Sequence, residues 1–194
     1  MIHLEHIEKN NDLAVFFLDK RNEAFLERSS EKVRFNKLTI DKIESNEELY
    51  LLRVDNKYVA GISIEPMGKV VKLKNIWVDI NDRRRGYASI LIDKIEEECK
   101  KLGFEVLTLN VVSEYKPAIK LYLKKGFIKQ KVFPNSQNFF YLFTMVKNLK
   151  KRGAKIFKIK TGLTFIFSKF KYSLLFRKDG KEKFLYKIIY RKKG

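Results

Sequence analysis

The sequence predicts an α/β domain on a mixed sheet, followed by a basic, β-rich extension. Three observations carry that expectation. Up to about residue 148, segments with strand alternation and segments with helical spacing follow one another. Glycines and a proline punctuate the helical segments at their ends. The net charge of +19 is unevenly spread: residues 151–194 hold fifteen of the 42 basic residues and only Asp179 and Glu182 of the 23 acidic ones. That places +13 in the last quarter of the chain and +6 in the rest.

The elements follow in order. "IHLEHI" alternates as a short first strand, and "NNDLAVFFLDKRNEAFLERSS" carries apolar residues near helical spacing. "ELYLLRV" and "YVAGISIEP" read as two strands joined by a tight turn at "DNK", because Asp55 and Asn56 tolerate left-handed backbone. "VVKLKNIWVDI" is a long β-branched strand that completes a meander. "YASILIDKIEEECKKLG" reads as an amphipathic helix, its stripe marked by Ile90, Leu91, Lys94, Ile95, Glu98, Cys99 and Leu102, stopped by Gly103. "EVLTLNVV" is a strand, and "KPAIKLYLKK" a helix with Pro117 in its first turn and Gly126 as its stop. "FIKQKVF" and "NFFYLFTMV" close the domain as two strands. Two units result, residues 1–148 and residues 149–194.

Composition narrows the class. A chain of 194 residues with 45% hydrophobic and 34% charged residues buries a real core. The single cysteine, Cys99, excludes an internal disulfide and a cysteine-based metal cluster, and is read as core. The start "MIHLEHIEKNND" lacks a basic segment followed by an apolar run, and no apolar stretch approaches the roughly 20 residues that span a bilayer. A soluble cytoplasmic protein with no transmembrane segment is expected. His3 and His6 alternate on the first strand and are read as structural.

One stretch asks for chemistry. "NDRRRGYASI" lies between a strand and a helix, with Gly86 and Ala88 at the helix start. The first four amides of a helix lack internal acceptors, and the macrodipole adds about half a positive charge there. Small residues let an anion reach those amides, and arginines supply further donors. This is what a pyrophosphate site requires, and taken by itself the run fits a solvated basic loop equally well.

The stretch "NIWVDINDRRRGYASILIDKI" resembles the acetyl-CoA-binding core of the GNAT N-acetyltransferase superfamily. Val78 falls on the last valine of its splayed strand, Arg83, Gly86 and Ala88 fall on its R/Q-x-x-G-x-G/A motif, and Ser89 follows. Downstream, Ala118, Leu121, Tyr122, Gly126 and Phe127 of "AIKLYLKKGF" match the family's second helix and its exit. The resemblance covers residues 1 to about 148, the first 45 only as a generic helical region. It implies a GNAT-like, mostly antiparallel mixed sheet flanked by helices, with acetyl-CoA as co-substrate. It implies that backbone groups of Trp77, Val78 and Ile80 bind the pantetheine arm. The amides from Arg84 through Arg85, Gly86, Tyr87 and Ala88 to Ser89 would then take the pyrophosphate, with Arg83 and Arg85 as ion partners. Tyr122 would lie by the acetyl-CoA sulfur, and Tyr115 stands where the family usually has a pantetheine-contacting asparagine.

The implied reaction is direct acyl transfer from a thioester to an amine, which needs no metal. An ordinary amine holds its proton with a pKa near 10.4, so a base or a water must take it, and an acid helps the thiolate leave. Tyr122 is the candidate acid. Many protein-lysine acetylating members carry a glutamate where this chain has Lys72, so the carboxylates left nearby are Glu65 and Asp79, with Glu65 the preferred candidate base. Direct deprotonation through water is the other route. The segment "KRNEAFLERSSEKVRF" is expected to form one wall of the acceptor cleft. Strong positive charge disfavours polyamines and suits a small metabolite amine, an amino-sugar, or an amine on an anionic carrier.

In residues 151–194 lysines alternate with Phe165, Phe167, Phe170, Tyr172, Phe176, Phe184, Tyr186 and Tyr190, and "KDGK" signals a hairpin. Three readings stand: a half-buried hairpin with lysines that keep its edge unpaired, a platform for RNA or another polyanion, and a surface for anionic membranes. So short a meander packs on the main sheet or on another subunit, which makes a homodimer one expected arrangement. A binding module that engages a polyanion through this segment, with CoA regulatory or vestigial, is the alternative to an enzyme.

Overall fold

The strand and helix order expected from the sequence is the order found in the computed structural model, which describes residues 1–29, 35–134 and 141–150. The hairpin and aromatic face expected in residues 151–194 lie outside the described residues.

Strand β1 (Ile2–Ile7) leads to helix α1 (Asp12–Leu26). Asn11 caps α1, its side chain accepting from the Leu13 amide, and Asp12 adds a negative charge to the first turn. Strands β2 (Glu48–Val54), β3 (Lys57–Met67) and β4 (Val70–Val78) form the meander. Val54 pairs with Lys57 across the Asp55–Asn56 turn, and Asp55 takes φ 52°. Helix α2 (Tyr87–Lys101), strand β5 (Val106–Val112), helix α3 (Lys116–Lys124) and strands β6 (Ile128–Pro134) and β7 (Tyr141–Asn148) complete the domain. The seven strands form one sheet in the order β1-β2-β3-β4-β5-β7-β6. Every neighbouring pair is antiparallel except β4 with β5.

Strand alternation divides the core between two faces. On β2, Tyr50 and Leu52 join a cluster with Leu91, Ile92 and Ile95 of α2 and Ile119 and Tyr122 of α3. Leu49 and Leu51 join Ala14, Phe17 and Leu18 of α1 and Trp77 of β4 on the other face. The buried face of α2 is Leu91, Ile92, Ile95 and Cys99. It differs from the stripe expected from spacing at two points: Ile92 is buried, and Leu102, at the helix C-cap, is 55% exposed. Burial pushes the Cys99 thiol up to about 12, so it packs as a small apolar group.

One irregularity shapes the centre of the sheet. β3 and β4 shift register between Gly61 and Ser63, because Gly61 faces Trp77 while Ser63 faces Lys74. Asn75 and Ile76 thus oppose Ile62 alone, a β-bulge with Asn75 at φ 50°. β4 pairs with β5 only from Val70 to Leu73, so the two strands part where the bulge begins.

Gly61 makes the packing of the bulged strand feasible. A Cβ on Gly61 would come within 2.6 Å of the Trp77 indole, which is itself wedged edge-on against Phe16 and Phe17. Gly61→Ala is therefore expected to cost about 1–3 kcal/mol by overpacking. Adding Trp77→Phe should recover part of that loss, because the smaller ring vacates the contact and the indole N–H is buried without an acceptor. Chemical denaturation followed by circular dichroism checks the double-mutant cycle, and additive losses would contradict it.

Candidate active site

Where β4 and β5 part, a cavity of about 280 Å³ opens between them. Leu73 to Ile76 of β4 and Leu109 to Val112 of β5 form its strand walls. Tyr115, Ala118 and Tyr122 reach it from α3, and Arg21, Phe25, Arg28 and Phe35 from α1 and the chain that follows. Helices α1 and α3 pack on opposite faces of the sheet, so the parting of the strands is what lets them share one cavity. A shallower depression of about 460 Å³ lies at the far end of β1, lined by His6–Asn10 and Ser45–Glu48, away from these groups.

The arginine run follows β4. A short 3₁₀ turn, Ile80–Asp82, is capped by Asp79, whose side chain accepts from the Asn81 amide at 3.0 Å. Arg84 takes φ 66° and Gly86, the N-cap of α2, takes φ 85°. The Gly86 carbonyl accepts from the Ser89 and Ile90 amides. The amides of Tyr87 and Ala88 remain available, as at any helix start, whereas the Ser89 amide, expected to face the pyrophosphate, is already taken by the Gly86 carbonyl at 2.9 Å. A Cβ at Gly86 would meet nothing within 4 Å, so the space over the loop is open.

The three arginines are not equivalent. Arg85 pairs with Asp82 at 3.3 Å, and Asp82 is buried and also pairs with Lys57. Arg84 is exposed. Arg83 reaches back to Glu27 just beyond α1, yet its Nε and one terminal nitrogen are buried without a hydrogen-bond partner. Tyr87, Ala88 and Ser89 are half-buried at the helix start. Trp77 and Val78 are buried at the end of β4, past the last β4–β5 pair, and Ile80 is 44% exposed. These features fit an elongated ligand with a diphosphate: free backbone at the splayed strand, an open glycine loop, unfilled amides and guanidinium donors with no acceptor.

Tyr122 is 7% exposed, packed edge-on to Phe127. Burial pushes its phenol up to about 12, and the Arg28 charge pulls the other way. It is therefore neutral and carries its proton at any physiological pH. Tyr115 sits at the N-cap of α3, and burial raises its phenol against the pull of Arg28 and Arg21.

The two carboxylates considered as bases stand elsewhere. Glu65 lies 3.4 Å from Lys74 Nζ and 3.7 Å from Lys72 Nζ and does not line the cavity. Asp79 is buried and pairs with Lys20 at 3.3 Å. Its burial favours the protonated form, but the Asn81 amide and Lys20 outweigh it and hold the carboxyl below its ordinary value.

Sequence reasoning expected residues 20–35 as a wall, and Arg21, Phe25, Arg28 and Phe35 are found there. It missed the network beneath. Asn75 donates to Glu47 Oε1 at 3.0 Å and Ser63 Oγ at 2.9 Å, and its own Oδ1 accepts from Arg21 Nε at 3.3 Å. Glu47, 2% exposed, also binds Lys74. The one available signal was an asparagine interrupting the β-branched run "VVKLKNIWV", a residue type suited to left-handed backbone.

Among curated proteins none matches the sequence. Solved structures with the same fold include three bacterial enzymes. The chain is 19% identical to a ribosomal-protein alanine N-acetyltransferase from Escherichia coli, with TM-score 0.61 over 77% of this chain and 95% of that one. A spermidine/spermine N-acetyltransferase from Vibrio cholerae is 14% identical, with TM-score 0.58 over 77% and 95%. A GNAT family acetyltransferase from Elizabethkingia anophelis, solved with acetyl-CoA bound, is 17% identical, with TM-score 0.61 over 76% and 97%. At these identities the likeness is one of fold. The model of the acetyltransferase (GNAT) family matches residues 11–127, from the cap of α1 through the exit of α3. With that match spanning more than half its length, the chain belongs to the GNAT family of N-acetyltransferases.

Proposed function

We propose that the chain transfers the acetyl group of acetyl-CoA to a primary amine by direct attack, with no covalent enzyme intermediate. The observation that carries this reading is the cavity itself, which joins a splayed strand edge to a buried, protonated phenol while α2 offers open amides alongside. The pantetheine arm would lie along Trp77 and Val78 toward Ile80. The pyrophosphate would sit on the amides from Arg84 to Ala88, near Arg83 and Arg85. Tyr115 and Tyr122 would flank the thioester.

The neutral amine attacks the thioester carbon, the carbon–sulfur bond breaks, and the amine loses a proton as the thiol gains one. A phenol near 12 does not give its proton outright to a thiolate whose conjugate acid is near 8.5. It donates a hydrogen bond as negative charge develops on sulfur. Arg28 assists by favouring partial phenolate character. On the amine side, Arg21, Arg28 and Lys74 line the cavity, and a further cation among them is disfavoured, which lowers the pKa of the bound ammonium. Water then suffices as proton acceptor, and Glu65, held by two lysines, stays outside the reacting set. The acceptor is a small amine, or the amine end of an anionic carrier, that fits a cationic cleft.

Three measurements test this reading. Tyr122→Phe should lower kcat about 100-fold while leaving acetyl-CoA affinity near that of the parent, and full turnover would remove Tyr122 from the reaction. Because its folded value of about 12 lies above the ordinary 10, the phenol stays protonated through pH 10. The basic limb of the kcat profile should therefore show no loss between pH 8 and 10, and the stability Tyr122 contributes is fully present below pH 10 and lost as pH rises toward 12. Gly86→Val, which puts a branched side chain at φ 85° and into the open loop, should sharply reduce the melting shift produced by acetyl-CoA. An undiminished shift would sink the cofactor placement.

A further inference from the structure

Among the described residues, the side chains that line the cavity include Arg21, Arg28 and Lys74 and not one aspartate or glutamate. These cations differ in what already holds them. Arg21 donates from Nε to Asn75 Oδ1, and from a terminal nitrogen to the Asn36 carbonyl at 2.8 Å and Asn22 Oδ1 at 3.0 Å. Lys74 is shared between Glu47 and Glu65. Arg83, beside the cavity, is tied to Glu27. Arg28 makes no hydrogen bond or ion pair with any of the described residues. It is half-buried, with its guanidinium 5.9 Å from the Phe25 ring, whose centre lies 4.2 Å from the Arg21 guanidinium.

We propose that the acceptor is a small primary amine that also carries an oxyanion, a carboxylate or a phosphate, and that the Arg28 guanidinium binds it. This rests on the acetyl-transfer reading above and names the acceptor's class. A half-buried guanidinium that no carboxylate among the described residues binds is an unfavourable arrangement, and an oxyanion offsets it with two parallel hydrogen bonds. Burial and the nearby Arg83 charge both press on the Arg28 cation, so the local field calls for a negative partner. Arg21 adds charge to the same end from a fixed position. Phe25, Phe35 and Leu142 offer apolar surface for the rest of the molecule, and about 280 Å³ suits an acceptor of amino-acid size. The amine points toward Tyr122, and the oxyanion toward Arg28, because both line the one cavity.

The test uses the full chain and matched probes that differ in one charge. Free L-amino acids are compared with their amides, and 2-aminoethyl phosphate with ethanolamine, by release of CoA thiol at saturating acetyl-CoA. The anionic member should show kcat/KM at least tenfold higher in one or both series, and the series that does identifies the oxyanion. Arg28→Gln should cut that preference by at least tenfold, mainly through KM, and Arg28→Lys should restore part of it. Equal rates for charged and uncharged members, a preference for the uncharged ones, or no turnover of any probe by protein that binds acetyl-CoA would overturn the proposal. So would a preference unchanged in Arg28→Gln. A melting shift with acetyl-CoA separates the two levels: its absence defeats the acetyl-transfer reading, while its presence with no anion preference defeats only the acceptor class.

Discussion

The parting of β4 from β5 is the constraint on which the rest of this molecule depends. Parallel strands exchange evenly spaced hydrogen bonds, and stopping them at Leu73 and Leu109 leaves backbone groups that must find other partners. The bulge at Asn75 turns β4 away, and a positive φ at a non-glycine residue is costly unless its surroundings hold it. Here the side chain of the strained residue is itself the anchor. Asn75 is fixed by Glu47, Ser63 and Arg21, and Glu47 is buried with Lys74, so the strain is balanced by a nearly complete polar network. Cavity, strand edge and helix start all follow from that one departure.

The same network distributes charge. Among the described residues, the acidic ones around the site are already committed: Glu47 and Glu65 to Lys74, Asp82 to Lys57 and Arg85, Asp79 to Lys20, Glu27 to Arg83. The carboxylates therefore neutralise cations behind the walls, and the space inside keeps a positive field. Fold alone does not choose an acceptor, since the similar structures include enzymes named for a protein alanine and for polyamines.

Much of this was legible in the chain. Strand alternation, the Asp55–Asn56 turn, Pro117 and the glycines at 103 and 126 set out element order, because each acts through local backbone preference. The R-x-x-G-x-A run and the register of Tyr122 with Phe127 marked the proposed cofactor side, since an anion site at a helix start needs small residues at fixed spacing. The surroundings of the candidate base were harder to read. Nearness in sequence suggested Glu65, whereas pairing across β3 and β4 turns it toward Lys72 and Lys74. Arg28 and the Asn75 network depend on contacts between segments tens of residues apart, and no local pattern encodes those.

Trp77, finally, is the chain's single tryptophan, and its place gives the protein a built-in optical reporter. The indole is 1% exposed, held in an apolar nest by Phe16 and Phe17, and its backbone belongs to the free edge of β4. Its emission comes from one environment, so a spectrum needs no deconvolution. Any molecule that adds itself to that edge, or any motion that closes the two strands, changes the surroundings of the same fluorophore, and its arrival can be timed without a label.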